Sequence, residues 1–109
     1  MIRHIVMFRF SEGFTPQIRE RWIAGLEAMK GSIPGMLNLV HGPDVMKTDR
    51  SWDHVIVADF HSASDIAVYN THPLHEAIKP LSLPNVLHLA YVDFELDSSP
   101  LPCTAKDTP

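Results

Sequence analysis

Hydrophobic and polar residues alternate at the start of the chain in the way that is typical of a β-strand. Successive side chains of a strand point to opposite sides, so residues 2–10 would place on one face Ile2, His4, Val6, Phe8 and Phe10. A turn follows at residues 11–14. Thr15-Pro16 then indicates a helix start, because Thr caps the backbone and Pro fits the first helical position. We predict a strand followed by a helix.

The predicted helix carries one apolar stripe. Apolar residues recur at helical spacing at Ile18, Trp22, Leu26 and Met29, which favours an amphipathic helix with one buried face. The helix is expected to end near Gly31.

The middle of the chain predicts two more strands. Residues 36–46 form the second, interrupted at Gly42-Pro43, and residues 52–61 form the third. Only the polar segment 47–51 joins them, and this short link favours an antiparallel hairpin.

A second helix and a fourth strand follow. Ser62 or Ser64 can cap a helix that runs to Pro73, and a further helical piece is expected at residues 74–79, closed by Pro80 and Pro84. Residues 86–96 then alternate as a strand does.

The tail has a different composition from the rest of the chain. Serine and proline are frequent after the last strand, so residues 1–97 are predicted to form one domain and residues 98–109 a disordered tail.

Strand, helix, two strands, helix and strand is the βαββαβ order of a ferredoxin-like α+β fold, with both helices on one face of the sheet. The third and fourth strands are apolar on both faces, for example at Val57 and Ile56, and at Tyr91 and Val92. Helices can cover only one face, and the other would be an exposed apolar patch. We therefore expect a homodimer that packs sheet against sheet.

Composition narrows the function classes. The 109 residues fit one domain, and the net charge of -4 argues against nucleic acid or an anionic membrane surface as partner. The single Cys103 excludes an intrachain disulfide and a thiolate cluster. Without an apolar run of membrane-spanning length or a secretory signal, the expected location is cytoplasmic.

Seven histidines are the main chemical signal, and three of them, His4, His72 and His75, lie at informative places. Histidine is suited to proton transfer near neutral pH. Tyr69 precedes His75 by six residues, and the turn at Pro73 can bring both to one cavity. From these residues alone structural roles stay open: His4 as a buried hydrogen-bonded ring, Tyr69 as a core residue and His72 as a cap.

Metal and cofactor signals are weak. His72 and His75 with Glu76 could form part of a metal site, but no complete ligand pattern is present. No metal site is therefore predicted. The chain has no phosphate-binding glycine loop, and no cofactor is expected. It has no nucleophile elbow, and Cys103 lies in the predicted tail, so a serine or cysteine nucleophile is not expected either.

Several segments together resemble the stress-responsive dimeric α/β barrel (Dabb) family over residues 1–96. They are Ile2-Arg3-His4-Ile5-Val6, Ile33-Pro34-Gly35, Trp52-Asp53-His54, and the stretch from Phe60 through Asp65, Tyr69 and His72-Pro73 to His75. The resemblance implies a ferredoxin-like protomer and a dimer whose two sheets form an α+β barrel.

One plant member of this family closes a linear polyketide by an intramolecular aldol reaction. The resemblance to it implies that His75 is the base, that Tyr69 assists and that His4 lies in the same pocket. It also implies substrate-binding positions at Val6, Phe8, Trp22, Leu26, Ile56 and His72.

Three functions follow as hypotheses. The first is a cofactor-independent acid–base enzyme for a small hydrophobic carbonyl compound, resembling a polyketide cyclase or a related lyase. The second is a non-catalytic barrel that binds a small ligand or serves in a stress response. The third is a cofactor-free monooxygenase, which oxygen uptake would distinguish.

Overall fold

The computed structural model describes residues 1–96, and the predicted tail lies outside this part of the chain. Seven elements and one 3-10 turn (Leu83–Asn85) build the fold. The strands and helices are, in order, β1 (Ile2–Phe10), α1 (Pro16–Met29), β2 (Met36–Pro43), β3 (His54–Phe60), α2 (Ala63–Thr71), α3 (Pro73–Ser82) and β4 (Val86–Glu95). The predicted ferredoxin-like α+β fold is confirmed.

The four strands form one antiparallel sheet in the order β2-β3-β1-β4. β1 is central and pairs with β3 and β4, so that His4 lies opposite Ala58 on one side and Asp93 on the other. β2 and β3 form the predicted antiparallel hairpin. Paired residues of an antiparallel sheet share a face, so this register decides which side chains meet.

The core lies between the helices and one face of the sheet. Its largest fully buried side chains include Trp22 and Leu26 of α1, Phe60 of β3 and Tyr69 of α2. The helices pack closely, because a Cβ atom at Gly25 of α1 would collide with Ile78 of α3. Gly35 has a positive φ of 82°, and a side chain there would collide with the carboxyl group of Asp65.

Within residues 1–96 no helix lies on the other side of the sheet, which we call the open face. It consists of the alternate strand positions Arg3, Ile5, Met7, Asn38, Val40, Val55, Val57, Asp59, Ala90, Val92 and Phe94. Val40 and Val92 are each 53% exposed. On this face Arg3 donates two hydrogen bonds to Asp59, at 2.8 and 3.0 Å, and this pairing lowers the pKa of Asp59.

Two element ends differ from the prediction by three residues, more than any other boundary does. β2 ends at Pro43 instead of Met46, and Val45 and Met46 are exposed in the following loop. α3 continues through Pro80 to Ser82, whereas Pro80 was expected to close it. A proline removes one helical N–H, and here the buried Ile78 and Ser82 hold the last turns against the core.

The helices described in residues 1–96 all lack the length and hydropathy of a membrane span.

Candidate functional site

A cavity of about 300 Å³ lies between the helix-covered face of the sheet and helices α2 and α3. Its walls are largely apolar, with Val6, Phe8, Trp22 and Ile56 among them. The polar side chains that line it are His4, Tyr69, Asn70, His75, Lys79, Ser82, Tyr91 and Asp93. An apolar pocket with a few convergent polar groups is the usual form of a small-molecule site.

His75 lies in the first turn of α3, where a capped turn fixes it. The His72 ring accepts a hydrogen bond from the Leu74 backbone N–H at 3.1 Å and so begins the helix. Nδ1 of His75 lies 3.3 Å from the carbonyl oxygen of Asn70. A carbonyl oxygen only accepts, so Nδ1 carries the proton and Nε2 of the neutral ring keeps a free electron pair.

The surroundings of His75 favour its neutral form. Burial is the main reason that its pKa is lowered from 6.5. The positive charge of Lys79 acts in the same direction, while the hydrogen bond to Asn70 and the charge of Glu76 oppose it. The ring is therefore a base at neutral pH.

Tyr69 is buried beside His75. The two ring centroids are 4.1 Å apart, and the Tyr69 ring lies 5.9 Å from that of His4. Burial raises the pKa of Tyr69 to about 12. The phenol therefore keeps its proton and is a hydrogen-bond donor over the physiological pH range.

His4 enters the cavity from β1 and is paired with Asp93 on β4. Its Nδ1 lies 2.5 Å from Oδ1 of Asp93, its cross-strand neighbour. The His4 side chain is 12% exposed, and that of Asp93 is 34% exposed. Lys79, the cation in this cavity, donates to the Asn70 carbonyl at 3.1 Å and is paired with Glu76.

The three residues predicted as catalytic, His4, Tyr69 and His75, all line this one cavity, as do Val6, Phe8, Trp22 and Ile56. Two predicted substrate-binding residues, Leu26 and His72, do not line the cavity. Leu26 is fully buried in the core, one helical turn beyond Trp22, and His72 uses its ring to cap α3.

The prediction missed Asp93, Asn70 and Lys79. Asp93 continues the alternation Leu89, Tyr91 by one more step, which was the available signal.

A second polar cluster, which does not line the cavity, packs against Trp22. Nδ1 of His41 lies 3.1 Å from Nε2 of His54, and Nε2 of His41 lies 2.7 Å from Glu27. His54 is 2% exposed, and burial, together with the charges of His41 and Arg19, lowers its pKa to about 4. Its ring packs edge-on against Trp22 at 4.8 Å.

Over residues 1–96 the structure contains no group of three His, Cys, Asp or Glu side chains arranged to hold a metal ion. His72 and His75 were considered from the sequence as part of a metal site. Nδ1 of His72 instead accepts from the Leu74 N–H, and Nδ1 of His75 contacts the Asn70 carbonyl.

Comparison with known proteins gives a family. The model of the Stress responsive A/B Barrel Domain family, Dabb, matches residues 2–96. No curated protein matches the chain.

Solved structures share the fold. A dimeric ferredoxin-like protein of unknown function from Thermobifida fusca YX is 30% identical, with a TM-score of 0.79, covering 87% of this chain and 90% of its own. The hydroxynitrile lyase of Passiflora edulis is 20% identical, with a TM-score of 0.75 and coverage of 90% and 94%. An antibiotic biosynthesis monooxygenase is 11% identical, with a TM-score of 0.73 and coverage of 89% and 99%.

Proposed function

The chain belongs to the stress-responsive A/B barrel (Dabb) family, and from that premise we propose that it is a cofactor-independent acid–base enzyme for a small hydrophobic carbonyl compound. The observation that carries the proposal is the pairing of a neutral His75 with a protonated, buried Tyr69 in one apolar cavity. The reaction class is proton removal next to a carbonyl group, as in an intramolecular aldol closure of a polyketide-like chain or a related lyase step.

The first step uses His75 as the base. Its Nδ1 is held by the Asn70 carbonyl, and its free Nε2 takes the proton from the carbon next to the substrate carbonyl. A base works best when it is unprotonated at the working pH, and the lowered pKa of His75 provides this near neutrality.

The second requirement is a donor for the developing enolate oxygen. The Tyr69 hydroxyl meets it, because its raised pKa keeps the proton on the phenol. A hydrogen bond aimed at developing negative charge is stronger beside apolar walls than in bulk water. The apolar walls at Val6, Phe8 and Ile56 select a hydrophobic substrate.

We also propose that the protein is a homodimer through the open face. Relatives of this fold include dimeric ferredoxin-like proteins. The exposed Val40, Val92 and Phe94 form an apolar surface that a second copy would cover. Joining two such sheets gives the dimeric barrel. A cytoplasmic location stays a prediction.

The experiment follows hydrogen–deuterium exchange next to the carbonyl of an apolar ketone, 4-phenylbutan-2-one, by proton NMR in D₂O. We expect the wild-type protein to accelerate exchange and His75→Ala to lower the rate by about a hundredfold or more. Tyr69→Phe should lower it by about a hundredfold, because an oxyanion donor is lost. His61→Ala is the matched control, since this histidine is exposed and outside the cavity.

The alternatives predict other results. A non-catalytic binding protein would shift the NMR signals of the ketone without any exchange above the buffer rate. A cofactor-free monooxygenase would consume oxygen with an electron-rich aromatic compound, and one protein with this fold is an antibiotic biosynthesis monooxygenase. Equal exchange by the wild type and His75→Ala would refute the assignment of the base.

A further inference from the structure

We propose that Asp93 is a positioning residue for His4, and that the pair supplies the second proton-transfer group of the cavity. This inference rests on the proposed acid–base function and assigns the protonation step that follows C–C bond formation. Asp93 was not a sequence-derived candidate. The register of β4 against β1 places Asp93 directly opposite His4.

The geometry fixes the chemistry of the His4 ring. Nδ1 lies 2.5 Å from Oδ1 of Asp93, and an ionised carboxylate only accepts hydrogen bonds. Nδ1 therefore carries the proton, and Nε2 is the nitrogen left to exchange one. The carboxylate also stabilises the imidazolium that forms when Nε2 takes up a proton, as the aspartate does in a catalytic triad.

The two cavity histidines share a tautomer and differ in their partners. Nδ1 of His75 donates to the neutral Asn70 carbonyl, and Nδ1 of His4 donates to the Asp93 carboxylate. A carbonyl does little to hold a positive ring, whereas a carboxylate does so strongly. This difference assigns His75 as the base and His4 as the acid.

An aldol ring closure by these residues has the following steps. The proton on the carbon next to one carbonyl goes to Nε2 of His75, and Tyr69 donates to the enolate oxygen. The enolate carbon forms a C–C bond to the second carbonyl carbon, and the electron pair of that carbonyl moves to its oxygen. His4 begins the reaction as the imidazolium that Asp93 stabilises, and the alkoxide takes the proton from its Nε2, which leaves the His4 ring neutral with Nδ1 still donating to Asp93. The proton that Nε2 of His75 took from carbon then passes through solvent to Nε2 of His4, which restores a neutral His75 and a protonated His4.

The other groups near His4 do not replace Asp93. The neighbouring rings are Phe60, Tyr69 and Tyr91, with centroids 5.9 to 6.4 Å from the His4 ring. Of the charged side chains that line the cavity, Lys79 is committed to Asn70 and Glu76. Within residues 1–96, Asp93 is the carboxylate in contact with His4.

The test is Asp93→Asn, which keeps the shape and allows the amide N–H₂ to donate to Nδ1 instead. We measure the tautomer of His4 by nitrogen-15 NMR of the full-length protein. The wild type should show a proton on Nδ1 of His4 that is shifted far downfield and protected from solvent. Asp93→Asn should lose this signal and move His4 toward the Nε2-protonated tautomer, with the signals of His75 unchanged.

Kinetics separate this inference from the proposed function. The probe is a linear 1,5-diketone, heptane-2,6-dione, which can exchange its hydrogens and also close a ring. We expect Asp93→Asn to lower ring closure about 10- to 100-fold and to leave deuterium exchange within about twofold. Glu95→Gln removes the same charge two residues along β4, outside the cavity, and should change neither rate.

Four outcomes overturn the assignment of Asp93: an unchanged His4 spectrum in Asp93→Asn, ring closure at the wild-type rate in that variant, equal loss of exchange and closure, and a wild type that exchanges without closing the ring. If one of these outcomes is observed while His75→Ala still loses deuterium exchange, the role of Asp93 is refuted and His75 is retained as the base. A wild type without exchange would refute the proposed function instead, while the His4 spectrum would still report the positioning.

Discussion

The buried ring of His54 is expected to make the stability of this protein depend on pH. The ring is 2% exposed, and its pKa is lowered from 6.5 to about 4, first by burial and then by the charges of His41 and Arg19. The unfolded chain therefore binds the proton at a higher pH than the folded chain does. Stability is fully present above about pH 6.5 and is lost as the pH falls toward about 4.

The size of the effect follows from the two pKa values. Each pKa unit between the folded and unfolded states is worth about 1.4 kcal/mol, so the full loss is about 3 kcal/mol. By about pH 5 the loss from this one ring amounts to about 2 kcal/mol. His75 acts in the same direction, so the contribution of His54 must be isolated by substitution.

The comparison is between the wild type and His54→Gln, whose amide can still donate to His41. Urea unfolding is followed by tryptophan fluorescence at about pH 7.5 and about pH 5, at one protein concentration, because a dimer's stability depends on concentration. We expect the wild type to lose about 2 kcal/mol more than His54→Gln between these pH values. The exposed His61→Gln should behave like the wild type. Equal losses in the wild type and His54→Gln would refute the reasoning.

The remaining predictions concern packing and assembly. Gly35→Ala should cost about 2 kcal/mol or more in urea unfolding, and Gly31→Ala less, because both have positive φ but only Gly35 is closely contacted. Leu26→Ala should lower the unfolding free energy by about 2–5 kcal/mol and leave ketone exchange unchanged, since this residue is in the core and outside the cavity. Val92→Asp should yield monomers in light scattering, whereas Val68→Asp, on an exposed position of α2, should leave the dimer intact.

Local patterns were sufficient to predict the fold. The alternation in residues 2–10 matched β1 to its ends, and Thr15-Pro16 marked the start of α1, where the Thr15 hydroxyl accepts from the Ile18 N–H. Pro80 misled the prediction, because the buried Ile78 and Ser82 hold the last turns of α3 against the core on both sides of the proline.

The site was only partly predictable. Trp22 and Leu26 lie on the same apolar stripe, yet one lines the cavity and the other fills the core, and periodicity does not distinguish them. The pairing of His4 with Asp93 depends on the register of two strands separated by most of the chain. The contact of His41 with Glu27 and His54 needs a helix and two strands to be placed together.

The central claim is that His75 is a neutral base in an apolar cavity, and the pH dependence of ketone exchange tests it most directly. Because the pKa of His75 is lowered below 6.5, the wild-type rate constant in excess of the His75→Ala rate should be flat through neutral pH and should fall only as the pH drops below about 6.5. A rate that rises steadily through neutral pH, or that does not differ between the two proteins at any pH, would contradict the account.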